Sequence, residues 1–379
     1  MNARKRALSS GERLLPQRFI NQVRKSLSTV DMREKFQAKV GDRVITSWLE
    51  AEPLYQKWLS PGSLKEPQDC YLWMRGGPGL GKTNASLAAI QRLELSASNS
   101  TIADAAGIQN QEFLAFFLCD WLPGCCSAED VLKSLIMQLI NQDESLAQHA
   151  RWFVPNPRYR GPAHFDSGRA AASADASGAK ATATVDNLWR CLQDMIEDPA
   201  VNSIHVVISN MHCLDSGAST NALLAKLRLT AFEPNPSARK AKWLVTSRDE
   251  KHISHYLTAQ SISAIDLDND AEYGGKVKVS RQKHARDAIV QLKSAKNYSP
   301  DFAYYVRNFV ESQSQDENWI DILFILLHAM PSSNNSLMIR KWLRETGTYN
   351  MPKLIDHAWD KARSKPTGIS EHALTFSRF

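Results

Sequence analysis

Between residues 70 and 267 short apolar runs alternate with longer stretches of helical spacing. The runs fall at 71–74, 113–118, 204–208, 243–246 and 262–267, and the helical stretches at 83–93, 128–140, 185–196 and 220–232. Strand, helix, strand repeated in this way predicts an α/β domain, because parallel strands need crossover helices to connect them. Strands covered by helices on both faces read as unbroken apolar runs, as these do, so the sheet is expected to be parallel and five-stranded.

Other patterns flank this body. Residues 1–60 predict an amphipathic helical leader: Phe19, Val23, Leu27 and Val30 recur at three- and four-residue spacing, and Trp48, Leu49, Tyr55, Trp58 and Leu59 follow. Residues 61–268 form the α/β domain. Inside it, 164–184 is an Ala, Ser and Gly tract that nothing in its composition equips to build a core, and it is expected to be a flexible insertion. Residues 269–379 turn helical, at 280–292, 301–311, 318–330, 337–345 and 353–363, and predict a small all-α appendage whose aromatics Tyr304, Tyr305, Phe309, Trp319 and Phe324 belong to its core. No repeat of 20 to 50 residues is visible, which leaves no array of the kind that senses ligands in repeat proteins.

Composition narrows the class. At 379 residues, 43% apolar and 23% charged, the chain is a globular protein with room for two or three domains. The excess of 46 Lys and Arg over 40 Asp and Glu is concentrated in residues 1–50, which hold eleven basic and five acidic side chains. The basic character therefore belongs to a tail, in which Arg4, Lys5 and Arg6 cluster, and specific nucleic-acid binding is not expected. Six cysteines without zinc or redox spacing fit a reducing compartment, and no apolar run approaches a membrane span; a cytoplasmic location is expected.

The strongest chemical signal comes directly after the first run. Gly76, Gly77, Pro78, Gly79, Leu80, Gly81, Lys82 and Thr83 satisfy the P-loop pattern between a strand and a helix. Glycines let successive backbone N–H groups turn toward phosphate oxygens, and the helix start adds unpaired donors and its positive dipole end. Lys82 is expected to reach the β- and γ-phosphates, with the Thr83 hydroxyl on Mg²⁺. Such a site also needs a strand ending in an acid that holds the cation. The run at 204–208 ends instead in Ser209, Asn210, Met211, His212 and Cys213, with Asp215 six residues beyond Ser209. A weakened metal site and a decaying copy both account for Ser209. The run at 243–246 leads into Ser247 and Arg248, a guanidinium at the ligand end of a parallel strand; it reads either as a sensor of the γ-phosphate or as a surface arginine.

Several segments together resemble the NACHT-type NTPases of fungal STAND signalling proteins that carry a nephrocystin-like N-terminal domain. They are SWLEAEPLYQKWL (47–59), YLWMRGGPGLGKT (71–83), FLAFFLCD (113–120), VLKSLIMQLI (131–140), IHVVISNMHCLD (204–215), KWLVTSRDE (242–250), AIDLD (264–268) and MPKLIDHAWDKA (351–362). The resemblance implies a sheet in which the strand before Arg248 lies between the P-loop strand and the strand ending at 208. It also implies a switch, closed with ADP and open with ATP, that self-associates or engages a protein partner. Lys82 and Thr83 correspond to its phosphate and Mg²⁺ contacts and Arg248 to its sensor arginine. That family has an aspartate at the position of Ser209 and an acidic pair at His212 and Cys213, so hydrolysis is expected to be weak or absent and Mg²⁺ weakly held, and Ser209→Asp is expected to strengthen the Mg²⁺ dependence. The rival expectation is a scaffold in which ATP or ADP is a structural cofactor, or a truncated member that does not switch. His252 and His255 lack a third ligand, and Cys125 and Cys126 lack an activating partner.

Overall fold

A computed structural model describes residues 15–40, 47–60, 70–77, 80–100, 112–154, 174–232, 240–258 and 262–277, with positions 279, 304 and 308. The Arg4, Lys5, Arg6 cluster, Pro78, Gly79 and nearly all of the expected helical appendage lie outside them. Tyr304, expected in a core, is exposed.

Five parallel strands form one sheet: β1 (Tyr71–Arg75), β2 (Glu112–Leu118), β3 (Ser203–Ser209), β4 (Ala241–Ser247) and β5 (Ser263–Asp266), in the order β2-β3-β4-β1-β5. All seven residues of β4 are buried and β1 and β2 are nearly so, the burial that a sheet flanked by helices demands. β4 lies between β1 and β3, as the resemblance implies. That order brings the carboxyl ends of β1, β3 and β4 side by side, and ligands of open parallel sheets bind beyond such ends.

The helices are α1 (Gln17–Ser26), α2 (Met32–Val40), α3 (Ser47–Glu50), α4 (Pro53–Leu59), α5 (Lys82–Ser100), α6 (Ala128–Gln142), α7 (Ala174–Glu197), α8 (Ala218–Phe232) and α9 (Lys251–Leu257). α5 packs on β2, β3 and β4, while α6, α7 and α8 pack on one another in series. Ser127 caps α6 by accepting from Asp130 N–H, with Glu129 and Asp130 in the first turn to complement the helix dipole. α1 to α4 fall within the expected leader, residues 1–60: in and beside α1 and α2, Ile20, Val23, Leu27, Met32 and Phe36 are buried, and the Phe36 and Phe116 rings meet at 5.3 Å. Val30, read as part of the same apolar stripe, lies past the end of α1 and is exposed.

One element departs from expectation. α7 starts at Ala174, inside the tract read as a flexible insertion. Alternate alanines between 174 and 184 outweigh Gly178, and a helix already anchored by buried Val185, Leu188 and Leu192 extends backward at low cost because propagation needs no new nucleus.

The chain divides into two compact units. The first contains the leader, the sheet and its helices. The second comprises residues 42–45, 77–81 and 267–379; within it the N–H of Gly77 donates to both carboxylate oxygens of Asp268 at 3.0 and 3.1 Å, and the Lys276 ammonium sits 4.7 Å from the centre of the Tyr273 ring.

Candidate functional site

The described residues of the glycine-rich stretch 76–83 lie between the end of β1 and the start of α5. β1 ends at Arg75, Gly76 has φ 151° and Gly81 φ 88°, and α5 opens on Lys82 and Thr83. A positive φ at both glycines is a backbone that side chains resist, which is why this spacing needs glycine. A Cβ added at Gly81 would meet nothing within 4 Å, so conformation and not crowding selects that residue. Lys82 is 5% exposed, and its ammonium donates to the Gly76 carbonyl at 2.5 Å.

A set of polar contacts ties the first turn of α5 to the ends of β3 and β4. Thr83 Oγ1 donates to Asn210 Oδ1 at 3.1 Å, and the Asn210 N–H donates to Thr246 Oγ1 at 3.0 Å. Ser86 Oγ donates to the Lys82 carbonyl at 3.1 Å and lies 3.4 Å from Thr246 Oγ1. None of Asn210, Thr246 and Ser86 stands out in the sequence. The one signal for Asn210 is that an asparagine directly after an apolar strand suits a left-handed turn.

Ser209 is the last residue of β3, fully buried, and its hydroxyl has no hydrogen-bond partner among the described residues. Asp215 is exposed, and its N–H donates to the Cys126 carbonyl at 2.7 Å, which ties it to the loop before α6.

Arg248 leaves β4, and its backbone N–H donates to His212 Nδ1 at 3.3 Å. Burial, with the charges of Arg248 and then Lys82 adding to it, drives the His212 pKa down to about 3. The imidazole is thus neutral at ordinary pH. Burial, with Asp120 adding to it, pushes the Cys213 thiol up to about 12. Cys119 is held well above its usual value by burial. Neither sulfur is an activated nucleophile. All six cysteines are free, and no group of three or more His, Cys, Asp or Glu with metal-holding geometry occurs among the described residues. His252 Nδ1 lies 3.6 Å from a Glu250 carboxylate oxygen, and the His255 ring meets Tyr256 edge-on.

Arg75 stabilises the rim of this region. Its guanidinium pairs with Asp266 at 2.8 Å and Asp249 at 3.3 Å and lies over Trp73, so the residue after Arg248 is tied to the ends of β1 and β5. Chemically, the turn at Gly76, the helix start and the cations Lys82 and Arg248 suit a phosphate group. For a divalent cation the oxygens beside Thr83 are neutral, which suits it poorly without the charge of a bound phosphate.

A family model described as Nephrocystin 3, N-terminal, matches residues 45–248, more than half of the chain. No curated protein matches the chain. No helix among the described residues is long and apolar enough to cross a membrane.

Proposed function

The chain belongs to the nephrocystin 3 N-terminal family, and on that premise we propose that it is a nucleotide-binding switch of the NACHT and STAND kind that holds ATP or ADP with little or no hydrolysis. The observation that carries the reading is the position of Lys82, which opens α5 directly beyond β1 with its ammonium on the Gly76 carbonyl, while Arg248 stands just past the end of the neighbouring strand β4. Lys82 and the N–H groups of the helix start bind the phosphates, and Arg248 discriminates ATP from ADP at the γ-phosphate. A switch moves only as far as its ligands differ in affinity for the two states, so these two cations set its range. A protein partner or a second copy engages the ATP form.

Hydrolysis needs a base to take a proton from water. A histidine with a pKa of about 3 is too weak for that task, and Ser209 and Cys213 supply none. Mg²⁺ accompanying the nucleotide would meet Thr83 and offset phosphate charge.

Thermal melts with ATP and with ADP, each with and without Mg²⁺, test this. At about 100 times Kd, nucleotide stabilises the fold by about 2.7 kcal/mol, a rise of a few degrees, and Lys82→Ala abolishes it. Failure of both nucleotides to move the melt sinks the reading. Equal shifts by ATP and ADP favour a scaffold with a structural nucleotide.

A further inference from the structure

β3 ends with its last side chain turned into the core. Ser209 is registered against Leu118 of β2, its carbonyl accepts the Cys119 N–H at 2.9 Å, and its hydroxyl is wholly enclosed. One residue later the chain adopts φ 58°, ψ 46° at Asn210, which among the described residues is the one non-glycine position with positive φ. Asparagine tolerates that region because its short polar side chain can hydrogen-bond locally. The turn carries Oδ1 to within 3.1 Å of the Thr83 hydroxyl, and Thr246 fixes the backbone behind it.

We infer that Asn210, and not the strand-terminal Ser209, is the residue this chain sets against Thr83, and that its neutral amide makes the binding of nucleoside di- and triphosphates nearly independent of Mg²⁺. The inference rests on the nucleotide reading above and adds a specificity-determining residue to it. An amide oxygen accepts a hydroxyl proton or a cation's water as a carboxylate does. It brings no net charge to offset the dehydration of a small hard cation, which binds through carboxylates and phosphates. The phosphates are then held by Lys82, Arg248 and backbone N–H groups, with or without the metal.

The experiment is calorimetric titration of ADP in Mg²⁺ and in EDTA, on the full chain and on three variants, with ATP titrated into the unmodified chain as well. The unmodified chain binds ADP with about the same Kd in both buffers. Asn210→Asp, tolerated in the same turn, binds more tightly in Mg²⁺ by about tenfold, since charge-assisted contacts are about twice as strong as neutral ones. Ser209→Asp leaves the ratio near one. Asn210→Gly keeps the backbone conformation and removes the whole carboxamide side chain, and its Kd ratio between the two buffers stays near one. An Asn210→Asp ratio that stays near one while Ser209→Asp gains Mg²⁺ dependence overturns the inference and leaves the nucleotide reading standing. So does a strong Mg²⁺ requirement in both the unmodified chain and Asn210→Gly, which keeps the inference falsifiable without the charged variants. Absence of ADP and ATP binding by the unmodified chain in either buffer overturns the nucleotide reading and this inference with it.

Discussion

His205 sits in the middle of β3 at 4% exposure, its ring 5.3 Å from Trp58 and edge-on to it, and its Nε2 has no partner among the described residues. Burial, with Lys242 adding to it, lowers its pKa from 6.5 to about 4. The folded value lies below the unfolded one, so as pH falls the unfolded chain takes up the proton first. The contribution is whole above about pH 6.5 and is lost as pH falls toward 4. A shift of this size corresponds to on the order of 3 kcal/mol of acid sensitivity. His212 acts in the same direction with less complete burial. Urea midpoints at pH 7 and pH 4.5 should therefore converge in His205→Val; an acid limb as steep as in the parent would refute the assignment. The same scale shows what the sequence could and could not convey. Lys82, Thr83 and Arg248 were legible because motif spacing and strand ends locate them. Asn210 was not, because which side chain meets Thr83 depends on the sign of one φ just past the strand, and apolar periodicity carries no trace of it.

Order and type of elements were legible because β1 to β4 are buried on both faces and read as apolar runs, yet the edge of the sheet shows a device that no pattern announces. β2 is an edge strand, and the outward backbone groups of its alternate residues would otherwise be unpaired. Gln142 and Gln138, one turn apart on α6, supply the missing strand. Gln142 accepts from Leu114 N–H at 3.1 Å and donates to its carbonyl at 2.7 Å, and Gln138 does the same for Phe116 at 3.1 and 2.7 Å. At Leu118 the Met32 sulfur and the Lys35 ammonium of α2 take over, at 3.5 and 2.9 Å. The double variant Gln138→Ala, Gln142→Ala uncovers four backbone groups, each worth about 1–3 kcal/mol if left dry, and water repays part of that. The expected outcome is a loss of about 2 kcal/mol or more in urea unfolding, with concentration-dependent light scattering as exposed edges pair. Unchanged midpoints and a monodisperse solution would show that the two amides are incidental. A related device holds α4: the buried Lys242 ammonium donates to the Trp58 carbonyl at 2.8 Å and to that of Ser60, meeting the negative end of the helix dipole. The start of α7 was not legible because the composition of 174–184 carries no sign of the anchored helix behind it.

Across the whole molecule the excess of basic residues at the N-terminus acquires a structural use. Arg24 pairs with Glu144 at 3.1 Å, Arg33 with Glu94 at 3.0 Å, and Lys35 and Lys39 both approach Asp120, at 3.4 and 3.6 Å. What the charge count alone presents as a solvated tail is, over α1 and α2, a face matched to acids on α5, on the loop after β2 and on the 3₁₀ segment just past α6. The family match begins at residue 45, beyond both helices, but the physics does not stop there. Ile20, Val23, Leu27, Met32 and Phe36 are each 2% exposed or less. At about 1.5–3 kcal/mol apiece their burial is comparable with the about 5–15 kcal/mol that holds a domain folded. Surface ion pairs contribute little beside this, and their part is to fix which way the leader lies. A chain that begins at residue 47 should consequently melt at least about 10 °C lower or fail to remain in solution, since one kcal/mol is worth about 2–4 °C at this size. Melting curves of the two chains at equal concentration decide it. If the shortened chain melts within about 2 °C of the full one, about the effect of a single kcal/mol, the leader is an accessory and not part of the fold.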